Sequence, residues 1–204
     1  RHTWLPENRF VKGQPETGLE LAEDLERLAQ QFGPDTIAAC IVEPVAGSTG
    51  CLVPPKGYLQ RLREICDRYG IVLIFDEVIC GFGRLGTPFG ADAFGVIPDI
   101  MTMAKALTNA AQPMGAVAVS NNIHETITAS AADGGIELFH GYTYSAHPGA
   151  CAAGIATLDI FEKEKLIERA AELSGYFLEQ IFALSDIAII TDIRGYGLFA
   201  GFDL

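Results

Sequence analysis

The chain has 204 residues, 49% hydrophobic and 20% charged. That is enough for one large core or one and a half, and too apolar for a disordered polymer. Its formal net charge of −12 argues against a nucleic-acid surface, which needs clustered Lys and Arg, and against adhesion to acidic membranes.

Five cysteines without CxxC spacing argue against structural zinc and against a disulfide framework, and point to a reducing, cytoplasmic compartment. No apolar run nears the roughly 18 residues of a membrane span. The opening Arg1 and the apolar closing run "GYGLFAGFDL" predict a piece of a longer chain.

In chain order, residues 1–16 read as an extended polar arm. Thr17, with Glu20 three places on, predicts a capping box opening a helix that runs to Gly33 through Leu21, Leu25, Leu28, Ala29 and Phe32. "TIAACIV" (36–42) predicts a buried strand ending at Glu43. "PPKGYLQRLREICDRYG" predicts a helix with Leu59, Leu62, Ile65 and Cys66 inward and Gly70 as its stop. "IVLIFD" (71–76) is the next buried strand.

Strand, helix, strand, each strand apolar on both faces, predicts an α/β fold with a mostly parallel sheet flanked by helices. "DIMTMA" (99–104) and "MGAVAVS" (114–120) are further strands. Residues 121–146 are loop-rich apart from a short helix near Ile123–Ala129. A helix starts near Pro148 and an amphipathic one covers "KLIERAAELSGYFLEQIFAL". A polar break at Asp192–Gly197 between two apolar runs predicts a hairpin in a second, smaller domain. The expected division is 1–155 and 156–204.

Ligands of open parallel sheets sit outside the carboxyl ends of the strands. Asp76 stands at one such end and Glu43 at another. A carboxylate there needs a partner, because desolvating it alone costs several kcal/mol. The local explanation for Asp76 is a helix cap or a salt bridge to Arg84.

Lys105 argues for more. It is one of five lysines, and the other four lie in polar surroundings, whereas Lys105 lies in "DIMTMAKALTN". It is either a snorkelling surface lysine or a desolvated amine poised to form a Schiff base with a carbonyl. Paired with Asp76, the second reading has a chemical object. Pyridoxal needs a lysine for its aldehyde and an acid that keeps its ring nitrogen protonated. Val78, two residues past the acid, can turn an apolar side chain toward a flat ring.

"IVEPVAGSTG" (41–50), "LIFDEVICGFGRLG" (73–86), "PDIMTMAKALTN" (98–109), "PMGAVAVS" (113–120) and "HGYTYSAHPGACAA" (140–153) together resemble the class III, pyridoxal-phosphate-dependent aminotransferases of fold type I. Within that family they look most like the omega-amino-acid–pyruvate, or beta-alanine–pyruvate, branch.

The resemblance implies a large cofactor-binding domain over 1–155 and the start of a small C-terminal α+β domain over 156–204. It implies pyridoxal 5'-phosphate on Lys105, Asp76 at the ring nitrogen and Val78 on the ring face. Thr143 and the Tyr142 backbone would reach the cofactor phosphate of a neighbouring subunit in a homodimer or homotetramer. Glu43 would sit at the site's edge, or simply bond local backbone. Arg84 is expected to be structural, and His140 and His147 to shape their loop.

The sequence also departs from the family. Ser48 stands where glutamate-using relatives carry an acid, which favours pyruvate as amino acceptor. Ile79 stands where many carry a Gln that bonds the ring hydroxyl. Ala106, Ala110 and Ala111 replace glycines after the lysine. The family's phosphate-cradling Gly-Ser segment and its substrate-carboxylate arginine are expected outside this chain. The implied reaction is amino transfer from an omega-amino acid such as beta-alanine to pyruvate. Alternatives are an aminomutase of the glutamate-1-semialdehyde type on the same scaffold, or a chain that keeps fold and assembly without turnover.

Overall fold

The structure, a computed structural model, describes residues 3–132, 135–140 and 142–204. Arg1 and His2 of the expected arm, and Gly141 of "HGYTYSAHP", lie outside the described residues.

The elements in order are α1 (Glu23–Phe32), β1 (Ala39–Val42), α2 (Tyr58–Tyr69), β2 (Val72–Asp76), α3 (Gly90–Phe94), β3 (Ile100–Met103), β4 (Ala116–Val119), α4 (Asn121–Ala129), α5 (Pro148–Lys163), α6 (Leu166–Phe182), β5 (Asp192–Tyr196) and β6 (Phe199–Asp203). One sheet has the order β1-β2-β3-β4, with β1, β2 and β3 parallel and β4 antiparallel to β3. The expected βαβ unit is β1-α2-β2. Among the described residues no helix is long and apolar enough to cross a membrane.

The core lies between α2 and one face of this sheet. Leu59, Leu62, Ile65 and Cys66 of α2 are buried, as are Leu73 and Phe75 of β2. Gly70, at φ 67°, ends α2 by returning its N–H to the Cys66 carbonyl, as expected of a left-handed C-cap.

The expectation that the strands are buried on both faces is not met. The register pairs Ile41 with Ile74 and Thr102 with Val117, on the side away from α2, and Ile41 and Val117 are 63% and 61% exposed. No element among the described residues covers them.

The predicted capping box is also absent. Gly18 adopts φ 119°, and a Cβ there would meet Pro55 Cγ at 2.8 Å. The chain therefore turns where continuous helix was expected. A short 3-10 turn, Leu19–Ala22, precedes α1, and no side chain caps either. Leu28 and Phe32, expected inward, are exposed.

The predicted hairpin exists, but its first strand is the supposed break itself. β5 pairs with β6 from Asp192↔Asp203 to Tyr196↔Phe199. Its polar residues are buried because they bond one another. Asp192 accepts Trp4 Nε1–H (2.9 Å), the Phe10 amide (2.7 Å) and the Arg194 guanidinium. Arg194 also donates to both Asp203 oxygens (2.9 and 2.8 Å) and to the Gly50 carbonyl (2.9 Å). The Asp203 carboxyl is held below its ordinary value by the Arg194 hydrogen bond.

This cluster ties the N-terminal arm, the loop at Gly50 and the hairpin together. Removing one member of a buried ionic cluster leaves the rest uncompensated. Arg194→Leu is expected to lower stability by about 3–5 kcal/mol in urea unfolding. A change below about 1 kcal/mol, the range of an exposed pair, would contradict that reading.

Candidate active site

Adjacent parallel strands end at the same side of a sheet, and here they bring the two key residues to one end. Asp76 closes β2 and is in register with Thr102 of β3. Three residues beyond Thr102, Lys105 opens a 3-10 turn, Lys105–Leu107. The acid and the amine therefore leave the carboxyl ends of neighbouring strands.

Asp76 Oδ1 accepts the Val78 amide at 3.1 Å, and among the described residues no cation pairs with this carboxylate. The salt bridge to Arg84 is not formed. Arg84 Nη1 instead donates to the Leu198 carbonyl at 3.3 Å.

Lys105 is exposed, as in the snorkelling alternative and not as a desolvated amine. Its apolar sequence neighbours point elsewhere; Leu107, for example, is buried in the molecule. Lys105 opens instead into a cleft of about 490 Å³ that Val78, Ile79, Phe82, Arg84 and Asn109 also line. The backbone around it is strained. Lys105 (φ 45°), Asn109 (φ 49°), Ala110 (φ 61°) and, across the cleft, Phe82 (φ 59°) all occupy the left-handed region that non-glycine residues avoid.

Tyr142 and Thr143 line a different cleft, of about 600 Å³, with Gln112–Gly115 and His147. His140 packs on Tyr142 with ring centroids 4.0 Å apart, in keeping with a loop-shaping role. Glu43 Oε2 accepts the Gly47 amide at 2.8 Å, the local bond anticipated for it. A Cβ on Gly47 would approach Ile79 Cδ1 to 2.5 Å, so the turn held by Glu43 packs directly behind the wall of the Lys105 cleft.

Sequence reasoning assigned nothing to Glu77. It is fully buried, and its carboxylate accepts the Gly90 and Ala91 amides at 2.9 and 2.8 Å, which fastens α3 behind the Asp76 strand end. The signal was the second acid of "FDEV". Period-two alternation turns it to the face opposite Asp76. Burial pushes its carboxyl above the ordinary value, against the two amide bonds.

The donor set fits a pyridoxal ring. The cleft offers a primary amine and an apolar wall and lies within the usual volume range of small-ligand sites. Asp76 is not among the residues that line this cleft; at the same end of the sheet it offers a strand-end carboxylate with one oxygen unbonded among the described residues. The α/β fold around it is that of the pyridoxal-phosphate-dependent transaminases.

Residues 3–204 match the family described as Aminotransferase class-III, and the chain belongs to it. That family's cofactor is pyridoxal 5'-phosphate. The chain is 58% identical over 200 residues to an omega-aminotransferase of Caulobacter vibrioides, covering 98% of this chain and 45% of that protein. It is 52% identical over 199 residues to a beta-alanine–pyruvate aminotransferase of Pseudomonas aeruginosa, covering 97% and 44%. The crystal structure of an omega transaminase from Pseudomonas jessenii in complex with PMP superimposes with a TM-score of 0.87 at 40% identity, covering 94% of this chain and 43% of that one. The chain thus spans somewhat under half the length of these relatives.

A raised carboxyl stabilises the fold below its unfolded value and loses that contribution as pH rises through its folded value. Glu77→Gln presents an NH₂ to one of the two amides. It is expected to cost about 1–3 kcal/mol in urea unfolding at a pH within the ordinary carboxyl range, with the gap to the native protein narrowing as pH rises above that range. A gap that widens with pH would contradict the burial argument.

Proposed function

We propose that this chain carries the reactive amine and the ring acid of a transaminase that moves an amino group from an omega-amino acid, such as beta-alanine, to pyruvate. The observation that carries the reading is the parallel β2–β3 pairing, with Asp76 opposite Thr102 and Lys105 just beyond. Pyridoxal 5'-phosphate, when bound, supplies an aldehyde and an electron-accepting ring.

In this reading Lys105 Nζ would hold the cofactor by its aldehyde and, as a free amine, would move a proton at its nitrogen. Asp76 would hold the cofactor's ring nitrogen, Val78 would offer an apolar surface to its ring, and Glu43 would bound the site through its turn. Ile79 has no polar atom for the ring hydroxyl, so another group must satisfy it.

The Thr143 hydroxyl and the Tyr142 amide would bind the phosphate held by a partner subunit in a dimer or tetramer. In support, their loop is open: Phe139, Tyr142 and Tyr144 are 87%, 65% and 85% exposed. Ser48 and the beta-alanine–pyruvate relative support pyruvate as acceptor. Five free thiols support a cytoplasmic setting. We assign 1–155 to the cofactor-binding domain and 156–204 to the start of the smaller one.

The test is made in the full-length protein. Lys105→Ala is expected to abolish turnover and the cofactor adduct that borohydride fixes to the native protein. If borohydride still fixes the cofactor to the variant, a different lysine is the carrier.

A further inference from the structure

The loop that begins at Lys105 is strained at both ends and held in the middle. Lys105 (φ 45°), Asn109 (φ 49°) and Ala110 (φ 61°) occupy the left-handed region. Ala110 does so without the freedom of a glycine. Residues 109–113 are exposed, so burial of their own side chains does little to fix them.

Thr108 lies between the strained positions and is 2% exposed. All three of its polar groups are bonded within the loop. Its amide donates to the Lys105 carbonyl at 3.2 Å, and its carbonyl accepts the Ala111 amide at 3.0 Å. Its hydroxyl donates to the Gln112 carbonyl at 2.7 Å. The first two bonds are turn bonds that do not depend on the side chain. The third needs a hydroxyl, and it closes the loop across Asn109 and Ala110. Helix α5 backs the loop: a Cβ on its Gly154 would lie 3.4 Å from Met114 Sδ and 3.9 Å from the Leu107 carbonyl oxygen. The loop also walls two clefts, one with Lys105, Asn109 and Ala110, the other with Gln112–Gly115. The Thr108 hydroxyl ties one wall to the other.

We propose that Thr108 is a positioning residue for Lys105, its hydroxyl holding the strained loop so that the amine is aimed into the cleft. This inference rests on the reading of Lys105 as the cofactor's carrier and adds a residue that acts through it. Left-handed non-glycine backbone persists only where the surroundings over-determine it. The Thr108–Gln112 bond is the one side-chain hydrogen bond made by residues 105–115 among the described residues.

The test uses the full-length protein loaded with pyridoxal phosphate. Thr108→Val keeps the volume and removes the donor, and Thr108→Ser keeps the donor. Arg84 in the cleft and Asp76 at the neighbouring strand end are the charged groups of the site besides Lys105, and neither variant alters them. With beta-alanine and pyruvate, Thr108→Val is expected to lower kcat by about 10–100-fold and to change KM by less than about 3-fold, because a misaimed amine costs rate and not binding. It is also expected to move the pH midpoint of the cofactor's visible absorbance by about half a unit or more, since the contacts of the charged form set that midpoint. Thr108→Ser is expected to keep the midpoint and to stay within about 3-fold of the native kcat. A Thr108→Val protein with the native kcat or the native midpoint overturns the proposal, whatever its stability. So does a Thr108→Ser protein as impaired as Thr108→Val.

Should Thr108→Val fold poorly, Thr108→Cys decides by the same midpoint, because a thiol is a weaker donor of similar size; an unmoved midpoint contradicts the proposal. If borohydride fixes the cofactor of the native protein to another lysine, the reading of Lys105 fails and this inference with it. Fixation on Lys105 with an unmoved midpoint in Thr108→Val overturns the role of Thr108 alone.

Discussion

The parallel pairing of β2 with β3 is the constraint on which the site depends. Asp76 and Lys105 are distant in sequence, and only this pairing brings both to one end of the sheet. The register is itself set by burial. Leu73 and Phe75 are driven against α2, and alternation then turns Asp76 to one face and Glu77 to the other. A slip of one residue would exchange the two acids. It would place the bonded, buried carboxylate at the ligand side and leave the amides of Gly90 and Ala91 without their acceptor.

Around that pairing the structure separates densely bonded side chains from sparsely bonded ones. Glu77 and the Asp192–Arg194–Asp203 cluster are saturated with bonds and hold backbone. Asp76 and Lys105 are sparsely bonded. The left-handed residues Phe82, Lys105, Asn109 and Ala110 lie at the same cleft. Strain of this kind persists only where surrounding packing over-determines it.

Much of this was legible in the sequence, for physical reasons. Long apolar runs and Gly70 revealed β1-α2-β2, and an acid closing a strand and a lysine in apolar company singled out two positions that the sheet carries to one end. What stayed hidden depended on contacts distant in sequence. Asp192 and Arg194 read as a polar break because their partners, Trp4, Phe10, Gly50 and Asp203, are not their neighbours. Thr17 read as a cap because the close approach of Gly18 to Pro55 is a tertiary fact. Lys105 could be read as snorkelling or as desolvated, because apolar neighbours along the chain do not say which residues are neighbours in space.

The central claim is that Asp76 holds the proton on the ring nitrogen of a cofactor carried by Lys105. The most direct measurement is the ¹⁵N chemical shift of ring-labelled pyridoxal phosphate bound to the full-length native protein and to its Asp76→Asn variant. The account predicts a protonated nitrogen in the native protein and a neutral one in the variant, with turnover reduced by about 100–1,000-fold, the scale of losing one preorganised electrostatic contact. The same shift in both proteins would contradict it.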